Sequence, residues 1–315
     1  MTELWITLGV LGGVGVLVLL TAFICFRMAF YVTNRSKVDG EKFSLPPGKE
    51  YIPHHDQMQA WHNEVSSIPY RTLTVRSFDG LTLYGKYYEY APGAPIELMF
   101  HGYRGSAQRD LCGGVQRCFA LGRSALIVDQ RACGKSGGNV IGFGVLESKD
   151  CPVWVDCILR EIDPDARIIL TGISMGASTV VMAAAQPLPS NVVGVLADCG
   201  YTSAREIIKT VIRGMKLPAD LLYPFVRLGA RLFGHFDPDE TSPLAAAKQC
   251  RLPIIFFHGQ ADDFVPCHMS QSVYDACITT KKLVTVPGAG HGLGYVLDPD
   301  GYLKALAEFS KHMGC

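Results

Sequence analysis

Charge is what this sequence has least of. Only 18% of its 315 residues are charged, and 29 lysines and arginines are cancelled by 29 aspartates and glutamates. With no net field and no run of basic residues, nucleic acid is not an expected partner. Paired cysteines are also missing. The chain has 11 cysteines, an odd number, and no two stand at CxxC spacing, which argues against a disulfide framework and against a zinc site of the paired-cysteine kind. A reducing compartment fits, with most of these cysteines acting as small buried hydrophobes. His54, His55, Asp56 and His62 lie close in sequence but form no closed ligand set, so they read as a solvated surface and no metal is expected. No internal repeat is present. What the chain does have is apolar residues, 48% of the total, together with 33 glycines. That balance excludes a disordered chain and supplies a core for one large α/β domain or two smaller ones.

Part of the apolar excess is local. Residues 4–26 carry no charge over 23 positions, and as a helix this run spans about 34 Å, enough to cross a bilayer. A cleavable signal peptide should open on lysine or arginine, yet the early side-chain charge here is Glu3. A transmembrane anchor over residues 1–30 is therefore expected. Arg27, Arg35 and Lys37 flank the C-terminal side of the apolar run, and the positive-inside rule then puts the bulk of the chain in the cytoplasm. Gly9 and Gly13 form a weak GxxxG match. Residues 31–69 contain Pro46, Pro47, Gly48 and Pro53 and read as a juxtamembrane linker ending in a short helix near Gln57 to Val65.

From residue 70 the pattern changes. Two alternating segments, Tyr70 to Arg76 and Leu81 to Tyr88, meet at Asp79-Gly80, a hairpin signal. Six apolar runs without a polar face follow, at 96–102, 124–131, 167–172, 192–200, 252–259 and 282–288. Runs of this kind are strands buried on both sides, and the helical stretches between them give a mostly parallel sheet covered by helices. Ligands should meet the loops at the carboxyl ends of those strands.

After the run at 167–172 the chain reads Gly172-Ile173-Ser174-Met175-Gly176, with a helix-forming stretch directly behind it. A GxSxG between strand and helix is a nucleophile elbow: a strained turn lifts Ser174 clear of the sheet, at a helix N-terminus that favours developing negative charge. A serine hydroxyl needs a base, and the base an orienting acid. In this arrangement the chain order is serine, acid, histidine. The loop after 252–259 offers Asp262 and Asp263, and the loop after 282–288 offers His291 between two glycines. Asp262 leaves the strand end first and is preferred, with Asp263 as a capping or solvated carboxylate. His101 and His258 precede glycines at strand ends and read as loop braces; His235 and His268 fit no triad position. The oxyanion donors are expected to be the N–H of Met175 and, from the loop after His101-Gly102, the N–H of Tyr103. Arg104 reads as a surface charge.

These residues carry a resemblance. HGYRG, DQRACGKSGG, GISMG, HGQADDFVP and GAGHG occur in order, and the chain from about 70 to 315 resembles the α/β-hydrolase family, closest to its small membrane-anchored bacterial members described as esterases or serine-aminopeptidase-like proteins. The resemblance implies an α/β-hydrolase fold with Ser174 as nucleophile, Asp262 as acid and His291 as base, and Tyr103 and Met175 as oxyanion donors. It also favours Asp262 over its neighbour. Ala132 departs from the pattern, which usually has glycine there.

About 50 residues between the runs at 192–200 and 252–259 suggest an inserted cap, about 201–249. In it Leu221, Leu222, Phe225, Leu228, Leu232 and Phe233 recur near helical spacing. That face either packs on the domain or walls an acyl pocket, with Tyr201, Tyr223 and Phe225 as pocket candidates. The expected function is hydrolysis of small-molecule carboxylic esters or thioesters through an acyl-enzyme, without cofactor or metal. A peptidase or amidase is the alternative enzyme, and a non-catalytic membrane-tethered binding or scaffold protein the alternative of another class.

Overall fold

The computed structural model describes residues 1–32, 45–46 and 48–314. Arg35 and Lys37, used above for orientation, lie outside the described residues. Each apolar run becomes a strand: β1 (Arg71–Arg76), β2 (Thr82–Tyr88), β3 (Ile96–Phe100), β4 (Ser124–Asp129), β5 (Ile168–Ile173), β6 (Val192–Asp198), β7 (Ile254–Gly259) and β8 (Lys281–Val286). They form one eight-stranded sheet in the order β1-β2-β4-β3-β5-β6-β7-β8. β1 pairs with β2, and β2 with β4, antiparallel; the other pairs are parallel.

Helices cover both faces, as a sheet without a polar face requires. In chain order they are α1 (Thr2–Ala29), α2 (His55–Ser67), α3 (Ala107–Asp110), α4 (Cys112–Ala120), α5 (Glu147–Glu161), α6 (Met175–Ala183), α7 (Ala204–Gly214), α8 (Ala219–Phe233), α9 (Pro243–Ala247), α10 (His268–Ala276), α11 (Gly294–Leu297) and α12 (Pro299–Ser310). Several starts have a visible cause. Ser203 accepts from Glu206 N–H, Ser242 from Ala245 N–H and Asp298 from Gly301 N–H, each satisfying a donor that the first helical turn leaves free.

Alternation along the strands divides the core in two. Leu98 and Phe100 of β3 face one layer, with Leu126, Leu170 and residues of α5, α6 and α8. Met99 faces the other, with Ile127, Ile169, Phe257 and residues of α2, α4 and α12. The fully buried Glu97 also lies in β3, where Arg117, Arg123 and Thr171 Oγ1 bond it. The two arginines hold its carboxyl below the usual glutamate range, against burial, which alone would raise it. The ten described cysteines are unpaired thiols.

The N-terminal region is more deeply built in than a free anchor and linker. α1 is long and apolar enough to cross a membrane, and its first 16 residues stand exposed. Its C-terminal end belongs to the first core: Ala22, Phe26 and Phe30 are buried, and Phe23 and Phe26 meet Phe233 of α8 at ring distances of 5.2 and 5.9 Å. Of the expected linker at 31–69, the described residues 48–67 contribute to the second core: Trp61 and Val65 are buried there. Its helix, α2, is longer at both ends than the sequence pattern suggests.

Candidate active site

β5 ends at Ile173, and Ser174 takes φ 57° and ψ −116° before α6 begins. That left-handed conformation is strained for any residue but glycine and survives where its surroundings fix it. The surroundings here are close backbone. A Cβ on Gly172 would lie 2.1 Å from Gly176 O, and one on Gly176 would lie 2.0 Å from Phe100 O. Both glycines of the motif are thus required by the approach of neighbouring chain. Ser174 N–H donates to Asp198 O at 2.8 Å, tying the elbow to β6.

The three expected polar side chains converge from three loops. His291 Nε2 lies 2.9 Å from Ser174 Oγ, and His291 Nδ1 lies 2.7 Å from Asp262 Oδ2. With Nδ1–H donating to the carboxylate, the Nε2 lone pair is turned to the serine hydroxyl. Asp262 is buried and fully bonded: its Oδ1 accepts from Phe264 N–H at 3.0 Å and Val265 N–H at 2.7 Å. Burial alone would raise its pKa, but bonds from His258 and His291, with the backbone donors, hold it well below the ordinary carboxylate range. Asp263 is exposed.

The loop histidines act as braces. His101 is buried, with Nδ1 2.7 Å from Gly102 O, and its Nε2 accepts from Gln130 N–H at 3.1 Å. His258 stands 2.7 Å from Ser270 Oγ and 2.8 Å from Val265 O, and its Nε2 is also 3.2 Å from Asp262 Oδ2. Cys199 places its sulfur near Asp262 and His291. Burial and the Asp198 and Asp262 charges raise its thiol pKa well above the usual value, so it stays protonated beside Asp262 and His291.

Gly102 to Gly105 form a turn closed by Gly105 N–H on Gly102 O at 3.2 Å, with Tyr103 and Arg104 at its centre. Asp110 Oδ2 accepts from Gly102 N–H at 3.1 Å and bonds Arg109 Nε through Oδ1 at 2.6 Å. A Cβ on Gly102 would lie 3.9 Å from Ser174 Oγ, so this loop abuts Ser174. Met175 N–H opens α6 and has no intrahelical carbonyl to bond. Met175 follows Ser174 directly, and Tyr103 lines the same cavity as Ser174. Ala132, where the family pattern has glycine, holds φ 62°, the conformation that favours glycine.

A cavity of about 510 Å³ opens over Ser174 and His291. Its walls are a correction to the expectation that the cap might line it. They include Tyr51, Met58 and Trp61 from the N-terminal segment, Leu111 beside α4 and Val296 of α11. Tyr201, Tyr223 and Phe225 do not line it. Tyr201 Oη donates to Phe143 O at 2.9 Å and Tyr223 Oη to Asp239 Oδ1 at 2.7 Å, while α8 is occupied by α1. Sequence reasoning missed Tyr51, whose hydroxyl donates to His291 O at 2.9 Å, and Asp110, which anchors the loop of Tyr103. Tyr51 lies in a proline-bearing stretch without periodicity, and only its place in the fold reveals it.

No protein-family model matches the chain. It is 28% identical over 194 residues to the Bacillus subtilis protein YqkD, covering 61% of this chain and 64% of YqkD, just under two thirds of that relative's length. It is 23% identical over 254 residues to the Schizosaccharomyces pombe protein bem46, 77% of each. Among solved structures, an esterase of Pyrococcus furiosus superposes with TM-score 0.64 at 22% identity, over 86% of this chain and 98% of the esterase. An acylaminoacyl peptidase of Pyrococcus horikoshii gives TM-score 0.57 at 19% identity, over 79% of this chain and 43% of the peptidase. With its strand order and its strand-turn-helix serine, the chain is an α/β hydrolase by fold.

Proposed function

We propose that this chain is a membrane-anchored serine hydrolase that cleaves carboxylic ester or thioester bonds. The observation that carries the reading is the continuous series Ser174 Oγ, His291 Nε2, His291 Nδ1 and Asp262 Oδ2, with gaps of 2.9 and 2.7 Å, opening into a mostly apolar cavity. His291 takes the proton of Ser174 as the oxygen attacks the substrate carbonyl. Asp262, ionised and fixed by two backbone donors, holds the ring in the required tautomer and balances the imidazolium. The tetrahedral oxyanion is received by the N–H groups of Met175 and Tyr103, each worth about 2.7–4 kcal/mol in such sites. His291 then protonates the leaving group, and water activated by the same ring releases the acid.

α1 serves as the anchor, supported by its length and composition. The basic residues that follow it favour a cytoplasmic catalytic domain. The deciding test uses the full chain in membranes washed with alkaline carbonate. Retention after the wash is the expected behaviour of the anchor. In the same membranes, acyl esters and thioesters should be turned over in preference to matched peptidyl anilides, with turnover lost in Ser174→Ala. Faster cleavage of the anilides would make the chain a peptidase, and no Ser174-dependent turnover of either would leave a binding protein on a hydrolase fold.

A further inference from the structure

The last turn of α1 leaves carbonyls without intrahelical donors, and it carries the negative end of the helix dipole. Two consecutive residues of the loop beside Ser174 supply the missing donors. Tyr103 Oη donates to Ala29 O at 2.7 Å, and Arg104 Nη2 donates to Met28 O at 2.9 Å and reaches Tyr31 O at 3.3 Å. Arg104 is exposed, while around the Tyr103 bond the contact is packed. The Tyr103 ring lies 4.8 Å from that of Phe143, and Phe30, fully buried, meets Phe143 at 5.6 Å and Phe236 at 5.2 Å. The chain leaving the helix is itself paired: Ile141 N–H donates to Phe30 O and Val32 N–H to Asn139 O, both at 2.9 Å.

The loop held in this way is under strain. Arg104 takes φ 52° at the third position of the Gly102–Gly105 turn, where glycine is the usual residue. A non-glycine residue keeps that conformation when its partners fix it. For Arg104 those partners are Met28 O in the last turn of α1 and Tyr31 O just beyond it. Burial pushes the Tyr103 phenol up to about 12, so it remains a donor throughout the working pH range.

We propose that the end of the membrane helix is a working part of the active site: through Tyr103 Oη and the Arg104 guanidinium it positions the loop whose Tyr103 N–H receives the oxyanion. Neither side-chain group reacts with substrate; both are positioning residues acting through the backbone. The inference rests on the hydrolase reading above. It makes the anchor and the oxyanion loop one mechanical unit, so that displacing α1 along the membrane normal alters turnover.

The test is made on the full chain in lipid nanodiscs with Tyr103→Phe, Arg104→Met and the pair combined. Loss of positioning should lower kcat about 10-fold in the double variant, a fraction of the loss expected from removing an oxyanion donor outright. KM should change less than kcat does, since the contact being loosened is made in the transition state. Inhibition by a trifluoromethyl ketone, whose adduct places an oxyanion in the same site, should weaken by the same factor as kcat, equally across the pH range in which Tyr103 is protonated. The thermal midpoint, measured alongside, separates this outcome from unfolding. Ser174-dependent turnover with native kcat and native ketone affinity in a folded double variant would overturn the inference while leaving the hydrolase reading intact. Absence of Ser174-dependent turnover in the native chain would instead overturn that reading, and this inference with it.

Discussion

Asp262 and Asp263 differ by one position, and the fold treats them as opposites. Leaving β7, the chain turns so that Asp262 faces inward onto two backbone donors and two histidines, while Asp263 faces solvent. Because its folded pKa is depressed, Asp262 contributes stability that is fully present above the unfolded aspartate value and is lost as pH falls toward the folded one. The stability difference between the native chain and Asp262→Asn should therefore be constant above about pH 5 and shrink below about pH 4, read from denaturant midpoints across pH. A difference that grew on acidification would contradict this placement of the charge. The convergence of Ser174 and His291 and both elbow glycines were legible because the signal is local: a strained turn needs glycine within two residues of its central serine. Arg104 was not legible. Its partners are carbonyls more than seventy positions away, and no periodicity announces a guanidinium that caps a distant helix.

At the scale of elements, the strands were readable nearly to their ends, because a strand buried on both faces writes an uninterrupted apolar run. The helices over them were readable as elements but not as neighbours. The apolar face of α8 could have covered the site or another part of the domain, and composition alone treats the two alike. In the fold, α8 packs along the end of α1. Gly229 marks the closest approach: a Cβ there would lie 2.2 Å from Ala22 O. Gly229→Val should force the two helices apart and cost about 1–3 kcal/mol, read as a lowered thermal midpoint of the full chain in detergent. An unchanged midpoint would mean that the α1–α8 contact carries little of the stability. The segment at 45–67 was misread for a related reason. Its polar and proline-rich start looks like linker, yet Trp61 stacks on Tyr295 at 5.2 Å and Tyr51 bonds the backbone of His291. A few buried residues in a short helix give too weak a pattern to separate a lid from a tether.

Across the whole molecule, the N-terminal region embraces the sheet from both sides. The end of α1 joins the core that holds α5, α6 and α8, and α2 joins the core that holds α4 and α12. The scarcity of charge noted at the outset has two sources in this arrangement: a helix apolar enough for lipid, and a sheet whose two faces are both covered. Buried charges are either paired, as with Glu97 between Arg117 and Arg123, or held by neutral donors, as with Glu147 on the N–H groups of Gly142 and Gly144 and Asp198 on the Tyr302 hydroxyl. The central claim remains that Ser174 is the nucleophile of an acyl-transfer site, and it is tested most directly by treating the full chain with a fluorophosphonate and mapping the adduct by mass spectrometry. The account predicts one modified residue, Ser174, with labelling lost in Ser174→Ala and strongly slowed in His291→Ala. No adduct on the native chain, or equal labelling of Ser174→Ala, would contradict it.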